Sequence, residues 1–180
     1  HDVLLFFTNR GRVFSLKCYK IPQDTSRTAK GTPLVNLLPI TTEEQVLIAV
    51  KADFTPGNFL VLATLKGRIK RTPIEKFASV RSRGIIAMSL PKGDELVAGR
   101  LANENDDIIM VSEQGKSIRF AVVDARAMSR ATQGVRGIRL SAGDKVVSMD
   151  VVDPDAYVLT VTSHGYGKMS PMSSFPVQHR

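Results

Sequence analysis

Tryptophan is absent from this 180-residue chain, and only 3 tyrosines and 8 phenylalanines are present. So few aromatics exclude a broad surface for stacking unpaired bases, the usual grip on single-stranded nucleic acid. The one cysteine, Cys18, reads as an ordinary strand residue; it rules out an intrachain disulfide and a cysteine-based zinc site within these residues. The 3 histidines, His1, His164 and His179, are far apart, so no metal is expected. Long apolar runs are missing too: Val3-Leu4-Leu5-Phe6-Phe7 is far shorter than the roughly 20 residues of a membrane helix, and no signal segment opens the chain. A soluble, cytoplasmic protein with no membrane partner is expected. Acidic residues are the minority, 17 against 25 Lys and Arg, and the formal charge of +8 favours a polyanionic partner. The chain begins at His1 without a methionine and ends at Arg180 without a closing motif, as an excised domain would.

What is present is a repeat. An apolar β-prone run, a polar turn centred on glycine and an alternating basic arm occur four times, with turn glycines Gly11, Gly67, Gly115 and Gly165 about 50 residues apart. That period belongs to propellers and solenoids. Arg10-Gly11, Lys66-Gly67, Gln114-Gly115 and His164-Gly165 put the residue that tolerates positive φ at a hairpin turn. The first arm, such as Leu60-Val61-Leu62-Ala63, predicts a buried strand; the second predicts one face inward and cations outward. A second phrase, opening at Gly31, Gly84 and Gly134, begins another strand. A third, Gly93-Asp94-Glu95-Leu96-Val97 and Gly143-Asp144-Lys145-Val146-Val147, has Glu43-Glu44-Gln45-Val46-Leu47 in the equivalent place. The expected fold is all-β, a blade repeat of four strands per unit, with approximate units 1–55, 56–104, 105–153 and an incomplete 154–180. Ile74–Val80 and Val122–Met128 are too short for more than single helical turns, and the linkers 25–31 and 127–134 read as exposed and mobile.

Catalytic chemistry is not evident. Asp106-Asp107, Asp94-Glu95 and Glu43-Glu44 are carboxylate pairs, but they fall in turns where solvated acids are ordinary. Nothing adjacent would activate Tyr19, Tyr157 or Tyr166 as a nucleophile. No phosphate loop, nucleophile elbow or zinc-protease helix occurs, and the glycines of Gly134-Val135-Arg136-Gly137 precede a strand rather than a helix. No active site is expected.

The basic residues recur with the fold. One series flanks or follows each turn glycine: Arg10, Arg12 and Lys17; Lys66, Arg68, Lys70 and Arg71; Lys116 and Arg119; Lys168. A second lies in the linker before each second-phrase strand: Arg27 and Lys30; Arg81 and Arg83; Arg130 and Arg136. Two cationic rows per blade suit a curved phosphate backbone, contacted by shape rather than sequence. Arg68, Lys70 and Arg71 are expected to face solvent. A propeller-type module for a protein or acidic ligand is the competing reading.

Several stretches taken together resemble the C-terminal domain family of the bacterial DNA gyrase A subunit, with the corresponding subunit of topoisomerase IV less close. They are Asn9-Arg10-Gly11-Arg12-Val13-Phe14-Ser15-Leu16-Lys17, Gly31-Thr32-Pro33-Leu34-Val35-Asn36-Leu37-Leu38-Pro39, Gly93-Asp94-Glu95-Leu96, Arg126-Ala127-Met128 with Thr132-Gln133-Gly134-Val135-Arg136-Gly137-Ile138-Arg139-Leu140, and Gly165-Tyr166-Gly167-Lys168. The resemblance implies a β-pinwheel, a propeller-like disc whose blades exchange strands, with duplex DNA bent around a basic rim. It implies that this chain holds blades two to four and the start of blade five. The family's Gln-x-x-Gly-Gly-Lys-Gly wrapping motif would lie in blade one, and Pro176-Val177-Gln178-His179-Arg180 resembles its opening only. The resemblance further implies double-stranded DNA, the rest of the gyrase A subunit, and through it the gyrase B subunit, as partners in an A2B2 assembly. It also implies a bacterial, nucleoid-associated location. ATP and Mg2+ would serve the holoenzyme, with no cofactor in this part.

Overall fold

The computed structural model describes residues 2–23, 28 and 30–180. Its strands are β1 (Val3–Thr8), β2 (Arg12–Lys17), β3 (Val46–Lys51), β4 (Phe59–Thr64), β5 (Arg68–Pro73), β6 (Ile85–Ile86), β7 (Leu96–Ala102), β8 (Asp107–Ser112), β9 (Ser117–Ala121), β10 (Val135–Arg136), β11 (Val146–Val151), β12 (Tyr157–Val161) and β13 (Gly167–Pro171). Short 3-10 turns fill both expected helical segments, at Ile74–Phe77 and Val122–Asp124. Cys18 is not in a strand; it opens a 3-10 turn, Cys18–Lys20, just past β2.

Each unit is built on the predicted hairpin, and in the first three the third-phrase strand is added against the first arm. The sheets run β3-β1-β2-β6, β10-β5-β4-β7, β11-β8-β9 and β12-β13. The fold is therefore all-β and its blades exchange strands. β6 belongs by sequence to the second unit yet pairs antiparallel with β2 of the first, and β10 of the third unit pairs with β5 of the second. The second phrase of the first unit departs from expectation: Leu34–Asn36 is a 3-10 turn, not a strand. A two-residue strand exists only where a hairpin arm offers it an edge, and Pro33 has no N–H to give to one.

The core lies between stacked sheets, which explains the unbroken apolar first arms. All six residues of β4 are buried. Leu60 and Leu62 point into the cluster shared with Leu5, Phe7 and Ile48 of the first unit, whereas Val61 and Ala63 join Ile108, Met110 and Phe120 of the third. Period-two alternation thus serves two cores at once, and no face of this strand is left for polar residues.

The turn glycines are also the joints between units. Gly11 and Gly67 sit at φ 73° and 81°, the left-handed region that disfavours side chains. The Gly11 carbonyl accepts the N–H groups of Ala87 (2.8 Å) and Met88 (3.1 Å), and the Gly67 carbonyl those of Gly137 (2.8 Å) and Ile138 (3.2 Å). A Cβ on Gly11 would lie 2.3 Å from the Met88 carbonyl oxygen, so the exchanged strand packs against bare backbone.

Candidate nucleic-acid interface

The residue four places after each of the first three turn glycines latches the next unit. Ser15 Oγ donates to the Val80 carbonyl (2.6 Å), Arg71 Nε to that of Ala125 (2.6 Å) and Arg119 Nη1 to that of Phe175 (3.4 Å). These side chains hold linkers in place, which removes two arginines from the set expected to face solvent. Arg71 also stacks on the Phe59 ring, 4.6 Å from its centroid, and its side chain keeps only 11% of its surface exposed. Arg119 is paired with Asp107 at 2.8 Å, both largely buried.

Lys70 is a larger correction. Expected on the solvent side of β5, it is fully buried, at 0% exposure. Its burial pushes the ammonium from 10.5 down to about 8. Strand periodicity alone turns Lys70 outward, but β5 lies between Ala87, just past β6, and the third-unit linker, so both of its faces are covered.

The acids were misplaced in the opposite sense. Glu44 and Asp94, expected as solvated turn charges, are buried at 7% and 4% exposure. Each carboxylate is a staple on the end of a first arm: Thr8 Oγ1 donates to Glu44 (3.1 Å) and Thr64 Oγ1 to Asp94 (2.8 Å). Asp94 also accepts the backbone N–H of Lys66, and Glu44 accepts Arg12 Nη1 at 2.8 Å. Arg12 is thereby half-buried against Glu44 and over the Phe14 ring.

The other cations lie at the surface. Lys17, Lys30, Lys66, Arg81, Arg83, Lys116, Arg136 and Lys168 are exposed, as is Arg10, which is 3.6 Å from the equally exposed Glu43; Arg27 lies outside the described residues. The two predicted series meet at the joints between units. Arg12 Nη2 donates to the Arg83 carbonyl (3.2 Å), and Arg68 donates from Nε to Gln133 O (2.8 Å) and from Nη2 to Gly134 O (2.9 Å). Strand exchange sets Arg136 directly opposite Arg68 in the β5–β10 register. Neither guanidinium has a carboxylate partner among the described residues. Like charges directly opposite on a strand pair repel, and an oxyanion spanning them would turn that repulsion into attraction.

Exposed Lys92, Arg126 and Arg139 lie outside the two basic series. Lys66 Nζ donates to the Lys92 carbonyl at 3.1 Å, so the third-phrase turn brings Lys92 beside the hairpin turn. Arg139 alternates with buried Ile138, a strand-period signal that the second phrase carried all along.

The linker 127–134 is anchored rather than loose. Arg71 O accepts Met128 N–H at 2.9 Å, and Lys70 Nζ donates to the carbonyls of Ser129, Arg130 and Thr132. The final segment is its counterpart: Gln178 N donates to Arg119 O at 2.7 Å, as Met128 N does to Arg71 O. Among the described residues no group of three or more His, Cys, Asp or Glu could hold a metal, and no helix is long and apolar enough to cross a membrane.

These features define a class: a blade-repeat β module with exchanged strands and cations gathered at its joints. The family described as DNA gyrase C-terminal domain, beta-propeller, matches at residues 2–46, 58–103, 106–153 and 156–180, and the chain belongs to it. It is 46% identical over 182 residues to the DNA gyrase A subunit of Dehalogenimonas lykanthroporepellens, and 41% over 181 residues to that of Escherichia coli K12. Both comparisons cover 100% of the chain but only 22% and 21% of those relatives, so the chain spans about a fifth of their length. A solved DNA gyrase A C-terminal domain superposes with a TM-score of 0.84 at 28% identity, over 100% of this chain and 58% of that one. The C-terminal domain of a DNA topoisomerase IV shares the fold, with a TM-score of 0.90 at 24% identity over 99% of this chain and 56% of that one.

Proposed function

We propose that this chain binds duplex DNA along its exposed cations and bends it around the blades. In this reading it is part of a DNA gyrase A subunit that works with the gyrase B subunit in an A2B2 assembly in the bacterial cytoplasm, at the nucleoid. The observation that carries it is the unpaired Arg68–Arg136 couple at a blade joint. Its repulsion is sustained in the folded protein, and a phosphate between the two arginines would relieve it. One joint earlier Arg12, held by Glu44, donates to the Arg83 carbonyl, with exposed Arg81 and Arg83 in the same linker.

Binding at such joints reads the DNA backbone, because an all-β surface with short turns puts no helix into the major groove. Curvature follows when successive joints each hold phosphates, and ATP-dependent negative supercoiling is then a property of the whole assembly. ATP and Mg2+ belong, in this reading, to the rest of that assembly.

Duplexes of increasing length, titrated at two or more salt concentrations, test the reading. Affinity should rise with length to a plateau, and the log–log salt slope should be steep, at about −0.9 per phosphate neutralised. Weak binding that is independent of length would overturn it and favour a protein or acidic small-molecule ligand.

A further inference from the structure

Phe14, Lys70 and Ile118 occupy the same place in three successive units, the third residue after the turn glycine. Phe14 and Lys70 are both completely buried. Each lies under the glycine that opens the next unit's exchanged strand: a Cβ on Gly84 would be 2.4 Å from the Phe14 ring, and one on Gly134 would be 3.0 Å from Lys70 Cβ. An ammonium group thus stands at a core position that an aromatic ring fills one unit earlier. Removing an ammonium from water is unfavourable unless its donors are matched, and here backbone carbonyls match them.

Lys70 Nζ donates to Ala87 O (2.5 Å), Ser129 O (3.3 Å), Thr132 O (3.5 Å) and Arg130 O. Three of these carbonyls belong to one arch in the third unit's linker, and Ala87 follows the strand that closes the first unit's sheet. Outside the ammonium, the arch is held by Thr132 O accepting Ser89 N–H (3.1 Å), by the Thr132 hydroxyl on Ser129 O (2.9 Å) and Met128 Sδ, and at its edge by Met128 N–H on Arg71 O (2.9 Å). Beyond it the chain runs directly into Gln133 and Gly134, whose carbonyls hold Arg68.

We propose that Lys70 is a positioning residue for DNA binding: without touching DNA, its ammonium orders the Ser129–Thr132 arch and so presents Arg130 next to Ile85 and Ile86 of β6, the exchanged strand that pairs with Arg12. The proposal rests on the DNA-binding reading above. It assigns the one lysine of β5 to the organisation of the cationic surface rather than to the surface itself.

The test uses the complete polypeptide that carries these residues, with Lys70→Phe, Arg130→Gln and the double variant. Lys70→Phe installs the side chain that the first unit accommodates, and removes the donor. If it does not fold, Lys70→Met, of similar length and also without a donor, takes its place. Tryptic cleavage after Arg130 under native conditions, without DNA, reports the order of the arch, and duplex affinity reports its consequence.

Cleavage should accelerate about tenfold in Lys70→Phe, and affinity should fall about tenfold, since apparent affinity scales with the fraction of molecules in the competent conformation. In the Arg130→Gln background the same substitution should cost little more, because both act through one side chain. Unchanged cleavage, unchanged affinity, or an equal loss in both backgrounds would overturn the proposal. Failure of the unsubstituted protein to bind duplex DNA would refute the DNA reading instead, and cleavage alone would then decide whether Lys70 orders the arch.

Discussion

The Thr64 hydroxyl donates to the Asp94 carboxylate at 2.8 Å, with both side chains buried. The same carboxylate accepts the backbone N–H groups of Lys66 and Glu95, at 2.9 Å each. One side chain therefore fixes the hairpin turn of the second unit to the turn that starts β7. Thr8 with Glu44 repeats the arrangement in the first unit.

Asp94→Ala strands three donors, one of them a buried hydroxyl, and should destabilise the fold by about 2–4 kcal/mol. Asp144→Ala, at a more exposed site in the third unit, should cost less. Urea unfolding of the two variants side by side checks the order.

Gly11→Val and Gly115→Val should differ, although both glycines have positive φ, 73° and 82°. At Gly115 an added Cβ meets nothing within 4 Å, so the cost is conformational, about 1–2 kcal/mol. At Gly11 the added atom meets the Met88 carbonyl oxygen at 2.3 Å, so the exchanged strand must also move and the loss should be greater. Thermal melts that rank Gly115→Val as the worse substitution would refute this account of the joint.

Replacing Arg68 and Arg136 together by Gln should weaken duplex binding and reduce the magnitude of the log–log salt slope by about two, one phosphate contact for each arginine. Stability should fall little, since removing the mutual repulsion offsets the loss of the bonds from Arg68 to Gln133 and Gly134. Filter binding or anisotropy across a salt series, with a melt of the same protein, measures both.

Lys70 should also leave a signature in the pH dependence of stability. Its folded-state value is lowered to about 8 from 10.5, so between these values the unfolded chain binds more protons than the folded one. The penalty of burying the ammonium is therefore fully present below about pH 8 and is relieved as pH rises towards 10.5. The stability of the unsubstituted protein relative to Lys70→Phe should increase across that window. A flat difference would show that the ammonium titrates normally.

The hairpins, their glycine turns and the approximate repeat were legible because they are local: β-prone runs around a glycine define a hairpin wherever they occur. The burial of β4 on both faces was legible as an unbroken apolar run. What escaped was the fate of the second arms. In isolation, Arg68-Ile69-Lys70-Arg71 is an alternating edge strand, and only the arrival of a linker some 60 residues later turns Lys70 and Arg71 inward. Glu44 and Asp94 escaped for the same reason, since a staple reads as an ordinary turn acid until its threonine, some 30 residues earlier, is placed beside it.

Because β6 closes the first sheet and β10 the second, the stretch of chain that repeats and the sheet that folds are out of phase. Deleting the second repeat would remove the hairpin β4–β5 together with β6, so it would take the closing strand from the blade before and leave β10 without β5. The first two blades take their last strand from the next copy along, which couples the sequences of adjacent copies.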